Sequence, residues 1–349
     1  MPRFVQVLKD TSPPLVWSDG WVGGSSEVDP ALDKYSQATY TTTTTKGATM
    51  NFEFNGTFIG IYGAKRPDHG LYQVKLDGHL FPTLNASSSV PLFNQTLFNL
   101  TLPNGLHKVT LINAGTTALD VDYIAYQGNI GKDTEPMVLS TFQDNDDSFT
   151  YHPASSWQQS PRPGTFSGST GTITNDPNAS LEYKFNRILN LITDMILLYG
   201  TVTPASAVSY LASVDGGPFR QFSAKKASVR PHQVLYYASN LGRGTHTLRI
   251  KFPPTNGTMG DFAVDFANLY SAKSLGAPTP RVFSFESSSV QASSTQHVPG
   301  SLIAGLALSS TFALLGLIGC IFLLWRQRAQ KLQFEVVNAD SKKKIENTQ

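Results

Sequence analysis

Residues 35–55 align without a gap on residues 166–186, and this internal repeat limits what the chain can fold into. Met50-x-Phe52-x-Phe54-Asn55 falls on Leu181-x-Tyr183-x-Phe185-Asn186, Ser36 on Ser167 and Ala48 on Ala179. Further along, Ile61-Tyr62-Gly63 resembles Leu198-Tyr199-Gly200, and Tyr72-x-Val74-x-Leu76-Asp77-Gly78 resembles Tyr210-x-Ala212-x-Val214-Asp215-Gly216. Gly105-Leu106-His107 then matches Gly244-Thr245-His246, and Val121-Asp122-Tyr123 matches Val264-Asp265-Phe266. Order is kept throughout, which is the mark of a tandem duplication.

Each copy reads as all-β. Apolar and polar residues alternate over short runs such as Met50-Phe52-Phe54 and Val208-Tyr210-Ala212-Val214. Asp77-Gly78, Asn104-Gly105 and Asp215-Gly216 are expected to be turns, because Gly takes a positive φ readily. Copies of this size with this punctuation predict two-sheet sandwiches of the jelly-roll kind. The expected domains are a first sandwich over 1–128, a linker over 129–140 and a second sandwich over 141–272. The Ser/Thr/Pro-rich stretch 273–301 reads as a stalk. The run Thr41–Thr45 reads as a solvated strand edge or loop.

From Leu302 to Trp325 no side chain is charged. As a helix this run would be roughly 36 Å long, enough to cross a ~30 Å hydrocarbon core. Arg326 and Arg328 follow it, with Trp325 as an interfacial anchor, while 287–301 carries no Lys or Arg. The bias predicts a single span in a lipid bilayer, a cytosolic tail over 326–349, and sandwiches facing the outside or a lumen. Sequons at Asn55, Asn85, Asn94, Asn99, Asn178 and Asn256 agree with that side. Residues 1–14 lack the apolar core of a signal peptide, which leaves a tail-anchored arrangement with cytosolic sandwiches as the alternative. The one Cys, Cys320, lies inside the run, so no disulfide is expected before it. A net charge of +2 gives no sign of a nucleic-acid partner.

The order Thr11-Ser12-Pro13, Trp21, Gly47-Ala48, Phe52-x-Phe54-Asn55-Gly56-Thr57, Tyr62-Gly63-Ala64, His69-Gly70-x-Tyr72 resembles a large family of fungal, chiefly mushroom-type, membrane proteins. The resemblance covers nearly the whole chain and is looser over the second copy. It implies two tandem galactose-binding-like β-sandwich domains, a stalk and one transmembrane α-helix. It implies no settled activity.

No catalytic signature is present: no His-Glu-x-x-His, no Gly-x-Ser-x-Gly, no P-loop and no Cys/His metal spacing. The chain is read as a non-enzyme without a required cofactor. Asp144, Asp146 and Asp147 crowd hard oxygens as a Ca²⁺ site would, yet they lack the Gly and distal Glu of an EF-hand loop. The first copy offers only Lys9-Asp10 in the comparable place. His107 and His246 hold equivalent positions and are expected to pack turns, bonding backbone carbonyls. Asp122 and Asp265 also recur, and are expected to accept backbone N–H bonds. Trp17, Trp21 and Trp157 are the candidates for stacking on a sugar ring, or else core plugs. The leading functional expectation is a displayed binding module for glycan or a surface protein. A structural or sensor protein working through its tail, and a polysaccharide-active hydrolase using Asp122 or Asp265, are the alternatives. Oligomeric state is not legible.

Overall fold

The computed structural model describes residues 3–130, 135–185, 193–242, 244–254 and 259–272. All of these fall in the compact unit Met1–Val282. The predicted stalk, the span with Leu302 and Trp325, the tail with Arg326 and Arg328, and Asn256 lie outside the described residues. Among the described residues no helix is long and apolar enough to cross a membrane.

Both copies are antiparallel two-sheet sandwiches, each with short 3₁₀ turns in the loops near its first strands. In the first, one sheet runs in the order Arg3–Lys9, Tyr123–Asn129, Thr49–Lys65, Leu92–Asn113, Leu71–Leu76, His79–Leu80. A second, small sheet sets Thr41–Thr43 between Leu119–Val121 and Trp21–Gly23. In the second copy Phe262–Ala272 and Thr193–Val202 centre one sheet, and Ser180–Phe185 with His246–Lys251 centre the other. The duplication survives in backbone detail. The turns Ser36–Ala38 and Ser167–Ser169 carry the same left-handed pair, φ 54° and 50° at Gln37 and Ala38, and 62° and 59° at Gly168 and Ser169.

Three expectations need correction. Asn104-Gly105 is no turn: it lies inside the 22-residue strand Leu92–Asn113, with Gly105 facing Gly56 of Thr49–Lys65. The register shifts just past this pair, between Gly56 and Phe58, and a Cβ on Gly56 would strike the Gln127 carbonyl, so the cue marks an irregularity within the ladder and not a reversal. The linker is shorter than 129–140. Ile130 is buried in the core, and the strand Met137–Gln143 already pairs with Phe262–Ala272. Thr41–Thr43 is the middle strand of its sheet, because buried hydroxyls find acceptors: Thr43 Oγ1 donates to the Gly20 carbonyl at 2.7 Å.

The two sandwiches also share a core. Along Thr193–Val202, Ile196 and Leu198 turn into the second sandwich's own interior, while Met195 and Leu197 join the first sandwich's cluster. A strand buried on both faces reads as a continuous apolar run, and Met195-Ile196-Leu197-Leu198 is one. Tyr237 sits 5.8 Å from Phe52 and 5.6 Å from Tyr126, and Phe4 lies 4.6 Å from Tyr270. Each aliphatic side chain buried there contributes about 2 kcal/mol. Thr11 adds a buried hydrogen bond, donating to Gln233 Oε1 at 2.8 Å.

Candidate functional site in the cleft between the sandwiches

The two sandwiches enclose a cleft of about 830 Å³. Its first wall comes from short strands of the first copy. Val16–Trp17 pairs on Thr49–Lys65, and Trp21–Gly23 pairs on Thr41–Thr43, which brings the two indoles to 4.7 Å at an angle of 52°. Both tryptophans are half-buried, and neither indole N–H has an acceptor among the described residues. The facing wall, from the second copy, carries Val208, Phe222, Lys225 and Lys226. Gly23 sets the width: a Cβ there would lie 2.6 Å from the Cβ of Ala227.

Two charged groups face this space in unusual states. Burial pushes the Lys226 ammonium down to about 8, against the pull of Asp10. Asp10 is fully buried and accepts from Thr39 Oγ1 at 2.8 Å and Thr41 Oγ1 at 2.9 Å. Burial raises its carboxyl, with Lys9 opposing. The cleft therefore combines aromatic faces, hydroxyls, a carboxylate and an amine that is readily neutralised.

A polar cluster stands behind the first wall. Tyr40, which lines the cleft, donates to Asp29 Oδ2 at 2.9 Å, and Arg66 pairs with the same carboxylate. Burial opposes ionisation of Asp29, but the Arg66 bond outweighs it and holds the carboxyl low. Tyr35 stacks on Tyr40 at 4.2 Å and donates to Asp120 Oδ2 at 2.5 Å. His69 lies between Asp120 (2.8 Å) and Asp68 (2.9 Å). Burial disfavours the imidazolium, yet the two carboxylates prevail and its pKa rises. The second copy has Phe166, Thr203 and Ala263 at the places of Tyr35, Arg66 and Asp120. The network is a feature of the first copy alone, and that asymmetry in the repeat was the available sequence signal.

The other sequence candidates are scattered. Trp157 is buried against Tyr151, 4.8 Å away, and its N–H donates to the His152 carbonyl at 3.4 Å, so it belongs to the core and not to the cleft. Asp144, Asp146 and Asp147 do not converge. Asp144 is fully buried, Asp146 accepts from the Ser148 amide within its own turn, and Asp147 is exposed. His107 and His246 each bridge a turn carboxylate and a carbonyl, Asp77 with Pro103 and Asp215 with Gly242. Asp122 accepts from the Ser36 amide and Asp265 from the Ser167 amide. Asn85, Asn94, Asn99 and Asn178 are exposed, and Asn55 is half-buried.

The two recurring carboxylates differ in their company. Lys9 donates to both Asp122 Oδ1 and the Asp122 carbonyl. At the matching place the second copy has Gln143. Burial raises both carboxyls; Lys9 pulls Asp122 back, whereas Asp265, with Asp144 adding to the rise, reaches about 7. Among the described residues no three His, Cys, Asp or Glu side chains converge as a metal site.

Fold and cleft together define an all-β tandem-sandwich protein with a ligand-sized space between its halves. No family model matches the chain. Over 101 residues it is 26% identical to an A type blood alpha-D-galactosamine galactosaminidase of Flavonifractor plautii, 29% of this chain and 9% of that protein. The chain thus spans under a tenth of that curated relative. Among solved structures, the tandem CBM51 modules of Sp3GH98, a family 98 glycoside hydrolase from Streptococcus pneumoniae, match 77% of this chain and 100% of theirs, at 10% identity and a TM-score of 0.24. A Paenibacillus xanthan lyase matches 76% of this chain and 26% of its own, at 14% identity and a TM-score of 0.29.

Proposed function

We propose that the chain is a glycan-binding protein whose site is the cleft between the two sandwiches. The observation that carries the reading is the tilted Trp17–Trp21 pair opposite Lys226 in a space of about 830 Å³, inside the ~300–1,000 Å³ range of small-ligand sites. Sugar rings present C–H groups to aromatic faces and hydroxyls to polar groups, and this cleft offers both surfaces. Similarity of one stretch to part of a galactosaminidase agrees with carbohydrate as the ligand class. No catalytic step is assigned. The apolar run 302–325 adds the finer part of the reading, display of this module from a membrane, and that part rests on hydropathy and flanking charge.

The test is a glycan array probed with the detergent-purified full-length chain, followed by titration of the best binder. Trp21→Ala and Trp17→Ala are each expected to weaken binding roughly tenfold, while Trp157→Phe leaves affinity unchanged. Absence of any binder, or binding indifferent to both cleft tryptophans, would overturn the proposal.

A further inference from the structure

Among the described residues, several buried side-chain oxygens of the second sandwich have no hydrogen-bond partner, and four of them belong together: Gln143 Oε1, Asp144 Oδ1, Thr170 Oγ1 and Asp265 Oδ2. They share one neighbourhood. A Cβ on Gly168 would lie 3.6 Å from Gln143 Oε1 and 3.8 Å from Thr170 Oγ1. The adjacent Ser167 gives its amide to Asp265 Oδ1 at 2.9 Å and accepts from Gln143 Nε2 at 3.4 Å. The Asp144 amide donates to the Asp265 carbonyl at 2.8 Å. Leaving even one such group without a partner costs about 1–3 kcal/mol, so four together call for an occupant.

The first sandwich shows what stands there. The four residues correspond through the repeat to Lys9, Asp10, Thr39 and Asp122. The Lys9 ammonium bonds Asp122 Oδ1, bonds the Asp122 carbonyl at 2.9 Å, and lies 3.7 Å from Asp10 Oδ1. Thr39 Oγ1 completes the set by donating to Asp10 Oδ1. One copy supplies a cation from its own chain; the other keeps the carboxylates and replaces the lysine with an amide oxygen.

We propose that the second sandwich binds a calcium ion where the first holds the Lys9 ammonium. Two carboxylates balance a divalent charge, and the amide, hydroxyl and backbone oxygens around them are the hard, neutral donors that Ca²⁺ accepts in flexible geometry. Mg²⁺ demands a tight octahedron and keeps its waters, and Zn²⁺ favours several nitrogen or sulfur ligands, of which this place offers a single ring nitrogen. The basic ring nearest the site is His232, whose Nε2 is 3.4 Å from Asp265 Oδ2. It is half-exposed and held at φ 52°, and it leaves Asp144 Oδ1 without a partner.

The experiment uses the full-length chain stripped with EGTA and titrated with CaCl₂, followed by calorimetry and thermal unfolding. One Ca²⁺ per chain is expected, with the melting temperature rising roughly 5–10 °C at a hundredfold excess over Kd, and no comparable response to MgCl₂. Gln143→Lys should abolish the calcium heat and raise the melting temperature in EGTA, because the ammonium then sits in place. Lys9→Gln should raise the stoichiometry from one to two. An unchanged melting temperature in millimolar calcium, or a Gln143→Lys protein that still binds one ion, would overturn the proposal. Both outcomes can be read even if Lys9→Gln fails to fold.

Discussion

The first sandwich closes its buried carboxylates with Lys9, and the second leaves them facing Gln143. With the same left-handed turns at Gln37 and Gly168, one substitution separates a pair closed by a buried lysine from a pair approached only by the half-exposed His232 ring. The cluster behind the cleft diverges in the same sense: Tyr35, Arg66 and Asp120 build a satisfied network that Phe166, Thr203 and Ala263 do not. Duplication preserved the pairing of equivalent strands, while the polar groups that set local charge drifted independently. The shared cleft draws on both histories, with aromatic rings from the first copy and the amine from the second.

The largest effect expected lies at equivalent positions 9 and 143. Lys9→Met strands Asp10 and Asp122 and should cost about 3–5 kcal/mol in denaturant unfolding. Gln143→Met, in chelator, should cost less than about 1.5 kcal/mol; equal costs would end the contrast. Leu197→Ala, at a fully buried side chain that packs on the other sandwich, should cost about 2–5 kcal/mol and split one unfolding transition into two. If a single transition persists, the halves are coupled through other contacts.

The pH profile sharpens the comparison further. Asp265 is raised to about 7 in the fold, so its contribution is fully present below the unfolded carboxylate value near 4 and is lost as pH rises through about 7. Chelated wild type should therefore lose on the order of 3 kcal/mol across that window relative to Asp265→Asn. With calcium present the order should reverse, the variant being the weaker. Smaller still, Gly23→Val drives a side chain toward Ala227 and should cost about 1–3 kcal/mol, with glycan affinity falling alongside.

Alternation made the scaffold legible. Met50-Phe52-Phe54 and Leu181-Tyr183-Phe185 line the two interiors as their spacing implies. Asn104-Gly105 misled because a glycine that permits a turn also fits beside a register shift inside a continuous ladder. Trp17 and Trp21 could be named as candidates, but Lys226 could not, since it reaches them only through packing of the two sandwiches. Asp29, Arg66 and Asp120 are too far apart in sequence to form a motif. Lys9-Asp10 was visible as the counterpart of Asp144, yet its meaning depends on Asp122, more than a hundred residues away.

The central claim is that the ligand sits between the sandwiches, and a crystal structure of the chain with its best array binder tests it most directly. The account predicts a sugar ring against Trp17 or Trp21, with a ligand oxygen within hydrogen-bond reach of Lys226 Nζ. A glycan seated on the outer loops of either sandwich, with the cleft holding none, would contradict it.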